Sequence, residues 1–248
     1  MAKTQVSFGR RYSPDPEDRG YLMRRQMGAP GTPLPSRRTW RINSESLDQG
    51  NTGTCVGQAW RNFLRCAPIR TDKRAPTAYD IYRMAVQTDE WSSNDDEANL
   101  PDRDPGLDDG TSVRAGAEAV TKTGRLKSFL WAFNLQSAVE WVLTEGPVVL
   151  GLNWYDSMSR PNAAGIATIS PQAASIGGHA FLMRGVNNTT RLALCTNSWG
   201  DDWGKSGEFY LPFADLERLI HEQGEACSAI EQKLTSKTVK PMPAKAAR

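Results

Sequence analysis

Two hydrophobic periods divide this chain. Val56, Ala59, Trp60, Phe63, Leu64 and Ala67 recur every three or four positions, which predicts a helix with one buried face. Thr54 suits its N-cap and Pro68 its stop. A second helix is expected from near Pro76, with Tyr79, Tyr82, Ala85 and Val86 on one face. A third runs from about Ser112 to Lys122 and ends near Gly124; a fourth covers about Gln136 to Thr144, closed by Gly146-Pro147. Beyond that point the pattern changes to short apolar runs. Val148 to Asn153, Gly178 to Val186, Arg191 to Asn197, Gly207 to Leu211 and Ala226 to Gln232 read as strands. Turns at Asn187-Asn188 and Gly204 to Gly207 separate several of them. A polar helix from Ala214 to Gln223 stands between the last two. Helices first and strands later predict an α+β fold in two layers, and the seam between them is a natural cleft.

The two ends differ from this middle. Residues 1–33 form an arm rich in arginine and proline, including Ser13-Pro-Asp-Pro16 and Gly28-Ala-Pro-Gly-Thr-Pro33. Such proline density disfavours helix and predicts an extended or disordered segment. Residues 1–41 hold nine bases and three acids, and residues 233–248 hold five bases and no acid. The overall charge of +2 therefore hides an acidic middle, most concentrated in the surface loop expected from Trp91 to Asp109. The basic tail reads as solvated chain. Contact between either basic end and an anionic partner stays open as the sharper alternative, although no aromatic residue interleaves the charges of the tail.

A chain of 248 residues can bury one large core or two intimate lobes. It has no apolar run of about 18 residues, so no membrane span is expected. Its first residues lack the apolar centre of a secretory signal, which points to a cytoplasmic protein. Of four cysteines, Cys66, Cys195 and Cys227 read as buried free thiols once Cys55 is set aside for chemistry, and an odd remainder suits a reducing compartment. Two histidines and no metal-ligand spacing give no zinc site, and there is no phosphate-binding glycine loop; no cofactor is expected.

The candidate chemistry lies in three blocks: Gln49-Gly-Asn-Thr-Gly-Thr-Cys55, Gly178-His179-Ala180 and Asn197-Ser-Trp199-Gly200. A neutral thiol is a poor nucleophile, so a catalytic Cys55 needs help to ionise. The start of a helix supplies free amides and a positive dipole end. His179 can take the thiol proton and later return it to a leaving amine. Asn197 can hold the far ring nitrogen, and Trp199 can shield that bond. Gln49 can join the Cys55 amide in stabilising an oxyanion. His221 stands on the polar helix and reads as solvent-exposed. Taken singly, each block also has a bland reading, as a buried thiol, a core histidine or a strand-end turn.

Together the three blocks resemble the papain-like cysteine peptidases. His179 follows Cys55 by 124 residues and Asn197 follows it by 142, spacings similar to those of that family. Leu34-Pro-Ser-Arg-Arg-Thr-Trp40-Arg41 looks like the opening of the mature domain, and Asn197 to Gly204 with Phe209-Tyr210-Leu211 also match. The resemblance implies a two-lobed fold over residues 34–232. A helical lobe would span about 48–130 and an antiparallel, β-barrel-like lobe 131–232, with the cleft between them. It implies catalysis by Cys55, His179, Asn197 and Gln49 on an extended polypeptide. That substrate would lie along Asp109-Gly110, with Gly178, Leu152 and Trp199 lining the site. Two family features are missing: Thr52 stands where a disulfide-bonded cysteine is usual, and Val56 where a tryptophan is common. These departures resemble the disulfide-poor branch of bacteria and their viruses. The short arm is unlike a helical inhibitory propeptide, so it either occupies the cleft or packs elsewhere.

Two rival functions remain open on the sequence. One is a thiol amidase or acyl transferase acting on cell-wall peptides, against which Gln49 and Asn197-Ser-Trp199 argue. The other is a structural or assembly protein, such as a virion component within a larger assembly, working through its basic ends.

Overall fold

Helix α1 (Cys55–Arg65) is buried on nearly every side, because two partners enclose it. Gly57 lets α2 (Ala78–Val86) approach closely: a β-carbon there would collide with the Ala78 carbonyl oxygen. Gly116 does the same for α3 (Val113–Lys122), where the Trp60 ring fills the vacant space. These three helices form one layer. In this computed structural model the described residues are 7–24, 33–42, 46–69, 75–89 and 110–231. The loop expected over 91–109 and the tail over 233–248 lie outside them.

The helix starts follow local chemistry. Thr77 and Asp80 form a reciprocal capping box on α2. Ser112 Oγ accepts the Ala115 amide at 3.0 Å on α3, and Asn134 caps α4 (Leu135–Thr144). Caps of this kind contribute about 1 kcal/mol each. Thr54 behaves differently from expectation. It holds the N-cap position of α1, but its hydroxyl bonds to Thr52 Oγ1 and Gln58 Nε2 instead of capping. The first amides of α1 thus keep no side-chain partner from Thr54. On α2 the buried face is Ala78, Ile81, Tyr82 and Ala85; Tyr79 is exposed.

Seven antiparallel strands form the second layer. In spatial order they are β4 (Leu126–Ala132), β9 (Glu225–Glu231), β5 (Val148–Tyr155), β6 (Ser175–Asn187), β7 (Leu192–Thr196) and β8 (Glu208–Pro212). The seventh, β2 (Arg37–Thr39), pairs with the end of β6. Strand β4 carries Lys127 and Ser128 among its apolar residues and was not foreseen from the pattern. Alternation sends Leu150, Leu152 and Trp154 of β5 into a core with α4 and α5 (Phe213–His221), while Val149 joins Ala180 and Leu182 against α1 and α3. The sheet is therefore covered by helices on both faces.

The N-terminal arm is ordered where it is described. Arg10–Arg11 (β1) pair in parallel with Thr111–Ser112 (β3) at the start of α3. Proline does not keep the next segment extended: Pro16–Gly20 form a 3-10 helix, with Pro16 in its first turn and Asp15 capping Glu17. Tyr21 and Met23 then exchange backbone bonds with Trp131 of β4, and Met23 is buried. Among the described residues no helix is long and apolar enough to cross a membrane.

Candidate active site

Cys55 is the first residue of α1, where the helix presents its positive end. The backbone amides of Val56, Ala180 and Gly9 approach its sulfur. Ala180 follows His179 on β6, so the strand that carries the histidine touches the thiol. His179 Nε2 lies 2.7 Å from Asn197 Oδ1, while Nδ1 is buried without a protein partner. Asn197 stands just past the end of β7, held by its amide on the Gly207 carbonyl at 2.8 Å. Trp199 stacks on the imidazole, with ring centres 4.6 Å apart and planes 26° from parallel. That indole belongs to an aromatic cluster with Trp154, Trp203 and Phe209.

Gln49 joins the group from the loop before α1. Its backbone amide donates to the Ser198 carbonyl, and the Ser198 hydroxyl donates to Gln49 Oε1 at 2.7 Å. The amide nitrogen is thereby turned toward the cleft, where it donates to Ser7 O at 3.3 Å and Thr52 O at 2.7 Å.

The cleft is filled by the arm. The Gly9 amide donates to Gly178 O at 3.3 Å, and Gly9 O accepts the Thr111 amide at 2.8 Å. Both walls are glycine where the arm passes. A β-carbon on Gly178 would collide with Arg10 O, and one on Gly110 (φ +70) would stand 2.6 Å from Gly9 O. The Phe8 ring sits edge-on to both His179 and Trp199. Arg10 sends its guanidinium down to Glu225 at the head of β9, with Nε 2.8 Å from Oε2.

Residues 43–228 match the sequence profile of the papain family cysteine proteases. The chain belongs to that family. Its fold is similar to xylellain, a cysteine protease from Xylella fastidiosa, at TM-score 0.67 and 16% identity, over 94% of this chain and 100% of that one. Procathepsin B S9 from Trypanosoma congolense aligns at 0.63 and 11% identity, over 91% and 87% of the two chains. Digestive procathepsin L2 from Tenebrio molitor aligns at 0.58 and 17%, over 90% and 78%. At these identities the likeness is one of fold. No curated sequence matches the chain.

In this cysteine peptidase the arm changes the electrostatics of the cleft. Cys55 and His179 are both fully buried. Burial pushes the Cys55 thiol up to about 11, against the three amides that favour its charged form. Burial also pushes His179 down to about 4, against the Asn197 bond that favours imidazolium. With both groups dry, burial favours the uncharged thiol and the neutral imidazole over the expected ion pair. The cause is exclusion of water, since nothing here repels the charges. Cys66 and Cys195 are also buried free thiols, raised by desolvation, as is Cys227.

The remaining sequence candidates divide. Gly110 and Gly178 form the two edges of the cleft, whereas Asp109 lies outside the described residues. Leu152 sits opposite His179 in the sheet register, but its side chain is fully buried in the core and packs beneath Gly224. The residue of β5 that faces the cleft is Gly151, one position earlier. His221 is exposed on α5. Three participants were missed: Gly9, Arg10 and Glu225. Gly9 and Arg10 are hidden within an arginine-rich segment, and Glu225 reads as a charge at a strand end. No local signal marks any of them.

Proposed function

We propose that this peptidase cleaves peptide bonds through the Cys55 thiolate, and that residues 7–12 hold it in a closed, inactive form. The observation carrying the catalytic reading is the 2.7 Å contact between His179 Nε2 and Asn197 Oδ1, with Nδ1 left free. An amide oxygen accepts, so Nε2 carries the proton and Nδ1 is the base. His179 Nδ1 takes the Cys55 proton, and the thiolate attacks the substrate carbonyl carbon. Negative charge then develops on the carbonyl oxygen, where the Cys55 amide and Gln49 Nε2 receive it. One such donor contributes about 3 kcal/mol to the transition state. The imidazolium protonates the departing amine, leaving an acyl group on sulfur. His179 next draws a proton from water, which attacks the acyl carbon and restores the thiol.

The inhibitory reading rests on how the arm lies. Productive attack needs one carbonyl both over the sulfur and in the grip of Gln49. Here Gln49 grips the Ser7 carbonyl, while the Gly9 N–H, which donates to Gly178 O, also lies beside the sulfur and the Gly9 carbonyl turns toward Thr111. The thiol therefore meets a donor and not an electrophilic carbon.

A peptidyl vinyl sulfone probe, which alkylates an activated thiolate, tests the reading on the full-length chain carrying Gly9→Val, whose added side chain would collide with Gly53 and unseat the arm. Labelling should require Cys55 and His179 and be lost in Cys55→Ala and His179→Ala. Equal labelling of all three proteins would remove the catalytic assignment.

A further inference from the structure

Residues 110–112 edge the cleft, and their three backbone amides go to different places. The Gly110 amide donates to the Tyr82 hydroxyl at 3.1 Å, and the Ser112 amide donates to Asp89 Oδ2 at 3.0 Å. Between them the Thr111 amide turns the other way and donates to Gly9 O in the cleft at 2.8 Å. Asp89 does more than hold one amide. Its Oδ2 also accepts the Thr111 hydroxyl, and its Oδ1 accepts the Ser112 hydroxyl at 2.8 Å. One carboxylate thus gathers three donors from two consecutive residues, both of them buried. Bonds to a charged acceptor are stronger than bonds between neutral groups.

Asp89 is itself well placed to act as an anchor. Its amide and that of Thr88 both donate to Ala85 O, at 3.0 and 2.9 Å, which continues the turn at the end of α2. The Thr88 hydroxyl returns to Met84 O at 2.9 Å and receives Lys122 Nζ from the far end of α3 at 3.1 Å. Starting α3 does not require the carboxylate. The Ser112 hydroxyl oxygen caps that helix by accepting the Ala115 amide at 3.0 Å, which leaves its proton for Asp89. What Asp89 adds is the direction of residue 111. Gly110, at φ +70 and without a side chain, contributes little stiffness of its own. Holding the Thr111 side chain and the amide that follows it keeps the Thr111 N–H aimed into the cleft.

We infer that Asp89 is a positioning residue for substrate: it fixes the edge on which an extended peptide lays its backbone, and so sets affinity without touching the peptide. The inference rests on the peptidase reading above and adds a residue to its binding edge. A peptide carbonyl placed where Gly9 O now lies would meet an amide already turned toward it. Without the carboxylate, that amide must be ordered during binding, and the ordering subtracts from the bond's contribution.

The test uses the full-length chain carrying Gly9→Val and Cys55→Ala, with its arm unseated and no turnover. A labelled peptide of sequence Ser-Phe-Gly-Arg-Arg-Tyr, which repeats residues 7–12, is titrated by fluorescence polarisation. A second peptide carries an (E)-alkene in place of the Gly–Arg peptide bond, which deletes the carbonyl that Thr111 holds. The alkene should weaken binding about tenfold, the usual consequence of one lost hydrogen bond at its upper range. Adding Asp89→Ala should weaken the parent peptide and shrink the alkene penalty below about threefold, while Asp89→Asn, which keeps an acceptor oxygen, should restore part of it. Each penalty is a ratio within one protein, so a smaller folded fraction does not alter it. Equal penalties with and without Asp89→Ala would overturn the inference. Kinetics on the Gly9→Val chain give a second readout. Asp89→Ala should raise KM for extended fluorogenic peptides about tenfold and change kcat less than about threefold. A fall in kcat at constant KM would also overturn it. No turnover in any Cys55-bearing protein, with the binding difference present, would count against the peptidase reading and leave the role of Asp89 standing.

Discussion

Gly9 and Gly53 are in backbone contact at the mouth of the site, and a β-carbon on Gly9 would collide with the Gly53 carbonyl oxygen. Gly53 lies two residues before Cys55, on the loop that carries Gln49. The arm therefore reaches the Cys55 sulfur only because position 9 has no side chain. Gly9→Val should expel residues 7–12 from the cleft while leaving the core untouched. Cys55 alkylation by iodoacetamide should then accelerate at least tenfold at neutral pH, because solvation returns the thiol toward its ordinary range near 8.5. Mass mapping can assign the label, since the other three cysteines are buried. An unchanged rate would show that the arm does not control access.

Gln49 is held on two sides, by the Ser198 hydroxyl on its oxygen and by its own backbone on the Ser198 carbonyl. That clamp fixes which way its amide points. Gln49→Ala should lower kcat by about 100-fold with little change in KM, as expected for a donor that acts mainly in the transition state. Ser198→Ala should show a smaller loss of the same kind, because it frees the amide to turn. Steady-state kinetics on the Gly9→Val background separates the two. A rise in KM with constant kcat would place Gln49 in substrate binding instead.

Much of this was legible from spacing. The helix from Val56 onward and the later strands follow from periodicity, and the motifs that single out His179, Asn197 and Gln49 are brought together by the His179–Asn197 and Gln49–Ser198 bonds. What failed was of three physical kinds. Parity misled at Leu152, because successive residues of a strand face opposite sides and the cleft belongs to Gly151. Distance hid the Arg10–Glu225 pair, whose members are 215 residues apart and meaningful only when the arm folds back. Proline density misled too: it argued against helix at Pro16, where the first turn of a 3-10 helix accepts it.

Acid stability should report two opposing groups. His179 is lowered from 6.5 to about 4, so the folded protein binds fewer protons than the unfolded chain in that window. Its contribution is present above 6.5 and lost as pH falls toward 4. Glu225 is raised from 4.5 to about 7, so its contribution is present below 4.5 and lost as pH rises toward 7. Each window amounts to about 3 kcal/mol. Between 4.5 and 6.5 they offset one another. Glu225→Gln removes one of them, so the mutant's stability should gain on wild type by about 3 kcal/mol from pH 4.5 to 7. The other shifted acids, Asp18, Asp80 and Glu222, are common to both proteins and drop out of the difference. Urea unfolding across that range checks it, and parallel profiles would contradict the burial of Glu225 as a titrating group.

The Gly110 edge of the cleft is coupled to the packing of α1 on α2. Tyr82 of α2 accepts the Gly110 amide on its hydroxyl at 3.1 Å, and Gly110 is the wall opposite Gly178. Tyr82 also lies where a β-carbon on Gly57 would intrude, 2.9 Å from its Cβ. Gly57→Ala must therefore push the two helices apart, at a cost of about 1–3 kcal/mol for overpacking. Two readouts should move together: a lower urea midpoint, and a higher KM for extended peptides as Gly110 loses its anchor. Tyr82→Phe isolates the second effect, since it removes the hydroxyl without crowding α1. In that variant KM should rise while the midpoint falls by less than in Gly57→Ala. A KM unchanged in both would mean that the Gly110 edge is held by other contacts, and that α2 serves packing alone.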